Sequence, residues 1–557
     1  MRLRTDAAGG PTHARSRDLV AIGAGATLAP MTAPYVLTVD LGTSGPKAAV
    51  VGSRGEIAGS GQHKVTTVFP AAGAAEQDPD EIWRATLASC RAALGEAVAN
   101  DVRLRDIVAL IVSSQYSSIV PVDATGAHLH PMMLWMDQRG GPKHIKRLAG
   151  FPRGADLPTH LPRWIRTHGL APIDGGISLT HMRWIKFARP EVYERTAAFL
   201  EPMDYLTMRF CGRATANQCT AFMSLVIDNR TLGTTRYDST LVKWSLIDRD
   251  KLPPLVAVGE ALGPVLPAVA ADLGLPDTTV VLSGCNDTQA GAIAAGAFQG
   301  DHAGISLGTT GVIVTHRANR KTDPLTSIFT VPSALGGCHL VSAENGVAGV
   351  GVDHFLRTIV YADDPFRTHE STVDAYEAFN EAAALSPPGA RGVMYLPWLR
   401  GSLAPKADAR MRGGFVNVGL DTDRNDLARA LLEGVALNFR WLYESVEKFV
   451  KRSFSHVVFY GGGAQSELWS QIMADVLGVP IRQLADPRHA NSLGTGLLAL
   501  ERMGLVGAAD VLGIPKVRAV HEPDPALAAL YRERAERFEQ AFKQNRPLFR
   551  ALNRSRG

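Results

Sequence analysis

The first segment of the chain that could carry chemistry is an apolar run followed by a glycine turn, VLTVDLGTSGPK at residues 36–47. Its glycines let the backbone approach an anion closely, and its hydroxyl, amide and ammonium donors lie at Thr43, Ser44 and Lys47. Asp40 does not suit an anion site by itself, because its carboxylate repels phosphate unless a metal ion lies between them. The segment therefore predicts a nucleotide phosphate bound together with Mg²⁺ near Asp40.

A second copy of this pattern lies half a chain away. Residues 41–45 read LGTSG and residues 307–311 read LGTTG, an offset of 266 residues (307 − 41) in a chain of 557. The second copy offers Gly308 and Thr309 to a phosphate but has a serine in place of the first copy's aspartate. Each loop alone is also compatible with an ordinary β-turn. Their repetition favours two related lobes that each present a phosphate loop to a shared cleft.

Two polar clusters are candidates for binding a polyhydroxy substrate. Gln115 and Tyr116 follow a continuous apolar run that predicts a buried parallel strand, and open α/β sheets place ligands at such strand ends. Trp135, Asp137 and Arg139 then bring an aromatic ring, an acid and a base into five residues. This second cluster suits either a carbon skeleton with hydroxyls or a buried tryptophan beside a surface ion pair, and composition leaves both interpretations open.

Asp287 is the candidate general base. It follows a short β-branched strand in the segment GCNDTQAGA at residues 284–292, where small residues at the start of a helix permit close approach to a substrate. The competing interpretation is a helix N-cap, which local sequence alone favours for an aspartate in this position. Further along, residues 457–466 read VVFYGGGAQS, a strand followed by three glycines that suit a flat or anionic guest such as a nucleoside.

Taken together, these motifs resemble those of the FGGY carbohydrate kinases, most closely of their xylulokinase-like branch. DLGTSGPK at residues 40–47 is similar to the opening phosphate motif of that family, and WMDQR at residues 135–139 to its Trp-x-Asp-x-Arg sugar motif. Asp287 lies where the family keeps its catalytic base. GTTG at residues 308–311 matches the second phosphate loop, and GGGAQSELW at residues 461–469 matches the adenosine segment.

The resemblance implies an α/β fold of two actin-like (ribonuclease H-like) lobes that close on ATP and a small sugar, most simply a ketopentose such as xylulose. Asp40 would hold Mg²⁺, and Asp287 would accept the proton of the attacking hydroxyl. The residues expected to contact ATP are Thr43, Ser44, Lys47, Gly308, Thr309, Gly462, Gly463 and Ala464. The residues expected to contact the sugar are Gln115, Tyr116, Trp135, Asp137, Arg139, Asn286 and Asp287.

Two departures from the family pattern bear on the substrate. The xylulokinase pattern has Gln-Met-His-Gly where residues 115–118 read QYSS, so an imidazole expected at the sugar is absent and a phenol stands beside its place. Family members often have Gly-Glu-Arg where residues 401–403 read GSL. Another ketose or a polyol therefore stays open as the substrate, as does a sugar-sensing protein with weak turnover. A chaperone-like or actin-like ATPase is disfavoured by the aromatic, acid and base cluster of residues 135–139.

Length and composition exclude several other classes. A chain of 557 residues is too long for one ordinary core, and 46% hydrophobic with 20% charged residues is typical of a soluble globular protein. The net charge is +4 and there is no dense basic block, so the sequence predicts no nucleic-acid partner. The sequence also lacks an apolar run of about eighteen residues, and it therefore predicts no membrane span. Five scattered cysteines without a Cys-x-x-Cys pair argue against disulfides or zinc and favour a reducing cytoplasm.

The chain is expected to divide into three parts. Residues 1–33 are predicted to be a disordered extension, with a signal peptide as the less favoured interpretation because glycines break their apolar stretch. Residues 34–276 would form the first lobe and residues 277–557 the second, with a terminal helix that could pack back on the first lobe. A homodimer is one option for the assembly.

Overall fold

The structure is a computed structural model, and it describes residues 34–150, 157–362, 364 and 374–554. The predicted N-terminal extension, residues 1–33, lies outside these ranges. No α-helix within the described ranges has the length and apolar character that crossing a bilayer requires.

The α-helices of the described ranges are α1 (Pro79–Ala99), α2 (Pro142–Ala149), α3 (Leu161–Thr167), α4 (Ser178–Ala188), α5 (Pro190–Arg195), α6 (Pro202–Cys211), α7 (Ser239–Ser245), α8 (Pro267–Leu273), α9 (Asp287–Ala294), α10 (Val350–Phe355), α11 (Ala375–Leu385), α12 (Arg424–Val450), α13 (Glu467–Leu477), α14 (Ala490–Arg502) and α15 (Ala528–Leu552).

The strands of the first half are β1 (Tyr35–Gly42), β2 (Gly45–Gly52), β3 (Ile57–Gln62), β4 (Glu76–Gln77), β5 (Ile107–Ser114), β6 (Val120–Val122), β7 (Met132–Met133), β8 (Ala198–Leu200), β9 (Ala216–Asn217), β10 (Leu255–Val256), β11 (Ala261–Pro264) and β12 (Val280–Asn286). Those of the second half are β13 (Ala303–Leu307), β14 (Gly311–Arg317), β15 (Thr322–Asp323), β16 (Ile328–Pro332), β17 (His339–Asn345), β18 (Met394–Leu396), β19 (Gly414–Val416), β20 (Val457–Tyr460), β21 (Ile481–Leu484) and β22 (Val517–His521).

The two large sheets repeat one topology. The first has the order β3-β2-β1-β5-β12-β11, and the second contains the order β17-β14-β13-β20-β21-β22. In each, an antiparallel hairpin (β1 with β2, β13 with β14) is followed outward by two parallel strands and an antiparallel edge strand. The repeat of the glycine loops in sequence is therefore a repeat of whole lobes, as predicted, because each loop is the turn of the corresponding hairpin.

Continuous apolar runs explain how the hairpin strands form. Strands β1 and β2 bury almost every residue, as expected for central strands of a sheet covered on both faces. Helix α1 packs against β2 and β3, and residues on β3 make the contact close: a Cβ on Gly59 would lie 2.2 Å from the carbonyl oxygen of Ala93, and one on Gly61 would lie 2.3 Å from that of Ser89. Glycine is required there because the helix backbone itself contacts the strand.

Helices α9 and α14 join the two lobes. Each follows the fifth strand of its lobe's repeated order, and they pack against each other, while α14 also packs on β1, β2 and β5 of the first sheet. The contact leaves no space for a side chain, because a Cβ on Gly494 would lie 1.8 Å from the carbonyl oxygen of Ala290. A helix from near the end of the chain thus completes the core of the first lobe.

Two expectations about domain organisation require correction. The predicted boundary between residues 276 and 277 precedes β12, yet β12 pairs in parallel with β5, so the first lobe by strand pairing extends through α9. The terminal helix α15, for which packing on the first lobe was one option, packs instead on α12 and α13 of the second. Its Phe538 and Phe542 rings lie 5.1 Å from the Trp398 ring, so aromatic contacts fix its position.

A buried ion network anchors α15 to α12. The side chain of Glu433 is fully buried, and its Oε1 accepts hydrogen bonds from Arg429 Nε at 2.8 Å and from the Tyr531 hydroxyl at 3.0 Å. The same oxygen accepts from the backbone N–H of Gly389 at 2.9 Å, and Arg534 of α15 lies 3.6 Å from Oε2. One carboxylate therefore holds groups from three separate segments.

Replacing Glu433 by alanine is expected to destabilise the fold by about 3–5 kcal/mol, because it leaves buried arginines without a counter-charge. Thermal unfolding followed by circular dichroism would measure the loss. The matched control is Glu444→Ala on the same helix, whose partly exposed pair with Arg440 spans 3.1 Å and contributes at most about 1 kcal/mol. Equal destabilisation by the two variants would contradict a structural role for the buried network.

Candidate active site

The first sheet brings polar side chains to one edge. Strands β1, β5 and β12 are parallel neighbours, with Asp40 paired to Ser113 and Asn286 paired to Ser114. Because the carboxyl ends of parallel strands meet at one edge, Asp40 and Asp287 lie on either side of the end of β5. This edge faces the cleft between the two lobes, where the repeated loops also lie.

Asp40 is held by donors from both lobes. Its Oδ1 accepts from the Ser113 hydroxyl at 3.1 Å, and its Oδ2 accepts from Asn491 Nδ2 at 3.2 Å. Burial raises the pKa of the Asp40 carboxyl, while Lys47, its cross-strand partner, and the two hydrogen bonds act in the opposite direction. A buried, oriented carboxylate among oxygen-bearing side chains is the donor type that a hard divalent cation prefers.

The first phosphate loop is tied to the expected sugar site. The Thr43 hydroxyl donates to Gln115 Oε1 and accepts from Trp135 Nε1 at 3.1 Å. Gly45 has φ +135°, and a Cβ there would lie 2.1 Å from the carbonyl oxygen of His63, so only glycine closes this turn. Ser44 at the tip is exposed. The structure thus brings Thr43, Gln115 and Trp135 into one hydrogen-bonded group.

Asp137 and Arg139 form a clamp rather than a free binding pair. Asp137 is fully buried, and its oxygens accept from Arg139 at 2.6–3.1 Å and from the backbone N–H of Ala75 at 3.0 Å. Arg139 also pairs with Glu76, and its guanidinium lies 4.2 Å from the centre of the Trp184 ring. These contacts fix the turn that presents Trp135, which is how the motif contributes to the site in this structure.

Asp287 is not the N-cap of α9. The cap is Asn286, whose Oδ1 accepts from Gln289 N at 2.9 Å, so its amide is committed to the helix and its Nδ2 donates to Cys219 O at 3.4 Å. Asp287 follows as the first helical residue, half-buried, and its Oδ1 accepts from Thr288 N at 2.7 Å. Within the described residues, hydrogen bonds to this carboxylate reach Oδ1 only. The cap interpretation of Asp287 is therefore wrong.

The surroundings of Asp287 favour a proton on its carboxyl group. Burial raises its pKa to about 7, and the charges of Asp40 and Glu344 act in the same direction. A carboxyl group that titrates near neutral pH can exchange protons with a substrate hydroxyl under ordinary conditions. This pKa lies in the range that a general base working near neutral pH requires.

The second phosphate loop and the glycine-rich segment support each other. Thr309 is exposed at the tip of the β13–β14 hairpin, and the loop is braced by the Gly349 N–H, which donates to the Gly308 carbonyl at 2.9 Å. A Cβ on Gly463 would lie 2.2 Å from Leu307 Cδ2, whereas one on Gly462 would meet no atom within 4 Å. Gly463 is therefore needed for packing, and Gly462 is the glycine with open space before it.

Ala464 differs from its expected position, because its side chain is fully buried in the core of the second lobe. Its carbonyl oxygen accepts from Gln483 Nε2 at 2.7 Å. The Ala464 side chain is therefore not available to a nucleotide, and the backbone of the neighbouring loop residues would have to make that contact. Lys47 is half-buried beside Asp40, on the same hairpin as Thr43.

Sequence reasoning missed two residues of the site. Asn491 lies 451 residues from the carboxylate it contacts, and a single asparagine at the start of a helix gives no local signal of that contact. Burial raises the pKa of Glu344, near the end of β17, to about 7, while the Thr310 side chain beside the second loop acts in the opposite direction. The sequence offered one indication that Glu344 could belong to the site, namely its position near the end of a strand.

Two lobes of repeated ribonuclease H-like topology, with facing glycine hairpins at a common cleft, define the actin-like class of fold. Residues 35–294 match the N-terminal domain of the FGGY family of carbohydrate kinases, and residues 303–502 match its C-terminal domain. The chain belongs to this family, and the resemblance noted from its motifs is confirmed. Members of the family are sugar kinases that use ATP with a divalent metal ion.

Named relatives agree with this assignment. The xylulose kinase of Bacillus subtilis (strain 168) is 29% identical over 468 residues, covering 84% of this chain and 87% of the relative. The structure of xylulose kinase from Rhodospirillum rubrum superposes with a TM-score of 0.76 at 26% identity, covering 92% of this chain and 99% of that one. A gluconate kinase structure from Lactobacillus acidophilus has a TM-score of 0.78 at 21% identity, with coverage of 92% and 98%. This last likeness concerns the fold.

Asp287→Asn is expected to stabilise the unliganded protein at pH 8 and to have little effect near pH 4. The folded-state pKa of Asp287, about 7, lies above its usual value of 3.8. The contribution of this carboxyl group to stability is therefore fully present below pH 4 and is lost as the pH rises towards 7. Melting temperatures of both proteins across pH 4–8 would measure this effect.

The control is Asp277→Asn, an exposed aspartate ten residues earlier in the chain. This variant should have the same melting temperature as the unchanged protein at every pH. If the difference in melting temperature between Asp287→Asn and the unchanged protein does not depend on pH, the pKa of Asp287 is not raised in the folded protein.

Proposed function

We propose that the protein is an ATP-dependent carbohydrate kinase that transfers the γ-phosphate of ATP to a hydroxyl of a small sugar, a ketopentose such as xylulose. Another ketose or a polyol is the alternative acceptor. The observation that carries the proposal is the position of Asp287 directly after β12, at the same sheet edge as Asp40, with a pKa that burial and the Asp40 charge raise to about 7. The xylulose kinase names of the relatives support the ketopentose.

In this proposal the two hairpin loops hold the phosphates of ATP. The exposed tips at Ser44 and Thr309, with Thr43, Gly308 and Lys47, offer hydroxyl, amide and ammonium donors to phosphoryl oxygens. Gly462, with open space before it, and the adjoining segment would accept the adenosine. Phosphoryl transfer needs mainly in-line positioning and neutralised charge, which two facing loops can supply.

Asp40 would hold Mg²⁺, whose charge when bound neutralises the phosphates that Asp40 would otherwise repel. The carboxylate oxygens of Asp40 are ligands that such a hard ion prefers. Ser113 and Asn491 fix the carboxylate, each through one hydrogen bond to a different oxygen. These two residues would set the direction in which the remaining lone pairs of Asp40 point.

Asp287 would accept the proton of the attacking hydroxyl, and Gln115, Tyr116 and Trp135 would orient the acceptor. Gln115 Nε2 is buried and has no hydrogen-bond partner among the residues that the structure describes, as expected for a donor reserved for a ligand. Closure of the lobes about α9 and α14 would exclude water, which otherwise competes as an acceptor. Asn286 would act through the helix cap that positions Asp287.

Asp287→Asn is expected to lower kcat at least about a hundredfold, the usual contribution of a general base, while leaving binding of Mg-ATP intact. In the unchanged protein kcat/KM should fall about tenfold per pH unit below pH 7, because the base must be ionised, and level off above it. Coupled measurement of ADP release with ketoses, aldoses and polyols would test both points. If Asp287→Asn keeps its turnover, the result would contradict the role of Asp287 as the general base.

Asn491→Ala is expected to raise the Mg²⁺ concentration for half-maximal activity by about tenfold, because removing a residue that orients a metal ligand typically weakens the site by this amount. Titration of activity with Mg²⁺ at saturating ATP would measure the shift. Asn545→Ala on α15, where the amide donates to the Ala541 carbonyl at 2.9 Å, is the control and should leave the titration unchanged. If the Mg²⁺ titration of Asn491→Ala is also unchanged, the result would contradict the proposal that Asp40, oriented by Asn491, holds the metal ion.

A further inference from the structure

The turn between β5 and β6 carries Gln115, which is buried, and Tyr116, which is half-buried, and Glu201 lies directly beside it. Strands β6 and β8 pair antiparallel with Val120 opposite Leu200. The residue that follows Leu200 along the chain therefore lies next to the residues that precede Val120. Glu201 is that residue, and it is only 4% exposed. The register of two short strands thus brings a buried carboxyl group to the base of the turn.

Glu201 uses its carboxylate on this turn rather than on its own helix. It occupies the N-cap position of α6, where a side-chain oxygen ordinarily accepts from the first backbone N–H groups, but among the described residues it makes no such hydrogen bond. Instead its Oε2 accepts from Ser118 N at 3.2 Å, and its Oε1 accepts from the Ser178 hydroxyl. Two donors, one to each oxygen, fix the orientation of the carboxyl group.

The Ser118 hydroxyl extends this contact to the tryptophan of the expected sugar motif. Ser118 is fully buried, and its Oγ accepts from Trp135 N at 3.1 Å. The xylulokinase pattern has a glycine at this position, which offers no hydroxyl to the Trp135 backbone. The departure from the family pattern at residues 115–118 therefore adds a hydrogen bond between the turn and Trp135 in this chain.

The network ends at two groups that are expected to contact the acceptor. Trp135 Nε1 donates to the Thr43 hydroxyl at 3.1 Å, and that hydroxyl donates to Gln115 Oε1. Because Oε1 is occupied, the amide of Gln115 is turned so that Nε2, which has no partner among the described residues, remains as its donor. The Gln115 backbone is fixed as well, since its N–H donates to the Leu41 carbonyl at 2.8 Å. The turn, the tryptophan and the glutamine are thus one connected unit.

Ser117 shows why this turn needs support. Its φ of +60° lies in the left-handed region, which residues with a side chain adopt uncommonly. Such a conformation persists only where the surrounding contacts hold it. The next backbone N–H along the chain, that of Ser118, is the group that donates to Glu201. Glu201 therefore stabilises the turn immediately beside its unfavourable position.

From these contacts we infer that Glu201 is a positioning residue for the acceptor: through Ser118 it fixes the turn of residues 115–118 and the orientation of Trp135. Glu201 lies behind these groups and acts on the acceptor only through them. This inference rests on the proposed kinase activity and adds a residue that shapes its acceptor site.

The first test is steady-state ADP release with Mg-ATP and D-xylulose, with xylitol as the alternative acceptor. Ser118→Ala removes the hydroxyl that accepts from Trp135, so the KM for the acceptor should rise about tenfold, a usual effect of leaving a buried donor without a partner. The KM for ATP should not change. Glu201→Leu should raise the acceptor KM at least as much, because the Ser118 N–H also loses its acceptor. Glu201→Gln, which keeps one acceptor oxygen, should have a smaller effect than Glu201→Leu.

Asp204→Asn is the matched control. Asp204 lies about one turn further along α6 and is also 4% exposed, and its Oδ2 has no hydrogen-bond partner among the described residues. This variant should leave the acceptor KM unchanged. A merely structural role for Glu201 would lower the melting temperature without raising the acceptor KM selectively. The double variant Glu201→Leu/Ser118→Ala should raise that KM by less than the product of the two single effects, because both act through the same turn.

Amide hydrogen exchange gives a second readout that does not depend on turnover. Exchange of residues 115–119 and 133–136 should become faster in Glu201→Leu and in Ser118→Ala, whereas exchange of α15 should not change. If the acceptor KM is unchanged in both variants, or if exchange of the two segments is unchanged, the inference is overturned and the kinase is left standing. If the unchanged protein phosphorylates no acceptor, the proposed function is contradicted, and the exchange experiment still decides whether Glu201 holds the turn.

Discussion

Burial of three carboxyl groups is the constraint on which the site depends. Asp40 and Glu344 lie on strands β1 and β17 and Asp287 at the start of α9, and burial raises the pKa of each, with repulsion by the other two carboxylates adding to the shift at Asp287. Three negative charges in one cleft cannot coexist unless a proton or a cation is shared among them. Burial therefore favours the protonated forms of these groups, and under the proposed function a bound divalent cation and the donated hydrogen bond of a sugar hydroxyl would supply what the carboxylates lack.

The repeated topology is what makes this convergence possible. A hairpin with two parallel strands beside it delivers side chains to one edge, and two copies of the unit facing each other deliver two such edges to one cleft. Helices α9 and α14 keep the copies in register through a contact between backbones at Gly494 and Ala290. Asn491, one turn before Gly494 on the same helix, donates a hydrogen bond to the Asp40 carboxylate, so the position of the helix also sets the position of this contact. The packing of the lobes and the chemistry of the site are thus connected through one helix.

The sequence predicted the parts of the site that are local. Both glycine hairpins, the strand ends before Gln115 and Asp287, and the family itself follow from short motifs, and the structure and the comparisons confirm the fold and the family. The roles of the individual site residues stay predictions. What could not be predicted depends on distant pairing: the place of β12 in the first sheet, the partner of α15, and the contact of Asn491. The commitment of Asp137 to Arg139 and Ala75 was equally hidden, since composition cannot tell a clamp from a binding pair.

The seating of α14 on the first sheet has a consequence for the newly synthesised chain. The last residue of α9 is Ala294 and the last of α14 is Arg502, so 208 residues (502 − 294) separate them. At roughly 5–20 residues per second, the ribosome needs about 10–40 s to add them. During that interval the apolar face of the first sheet that α14 covers lacks this helix. The first lobe therefore cannot complete its core until α14 has been synthesised, and until then that part of the sheet is open to contact with other surfaces.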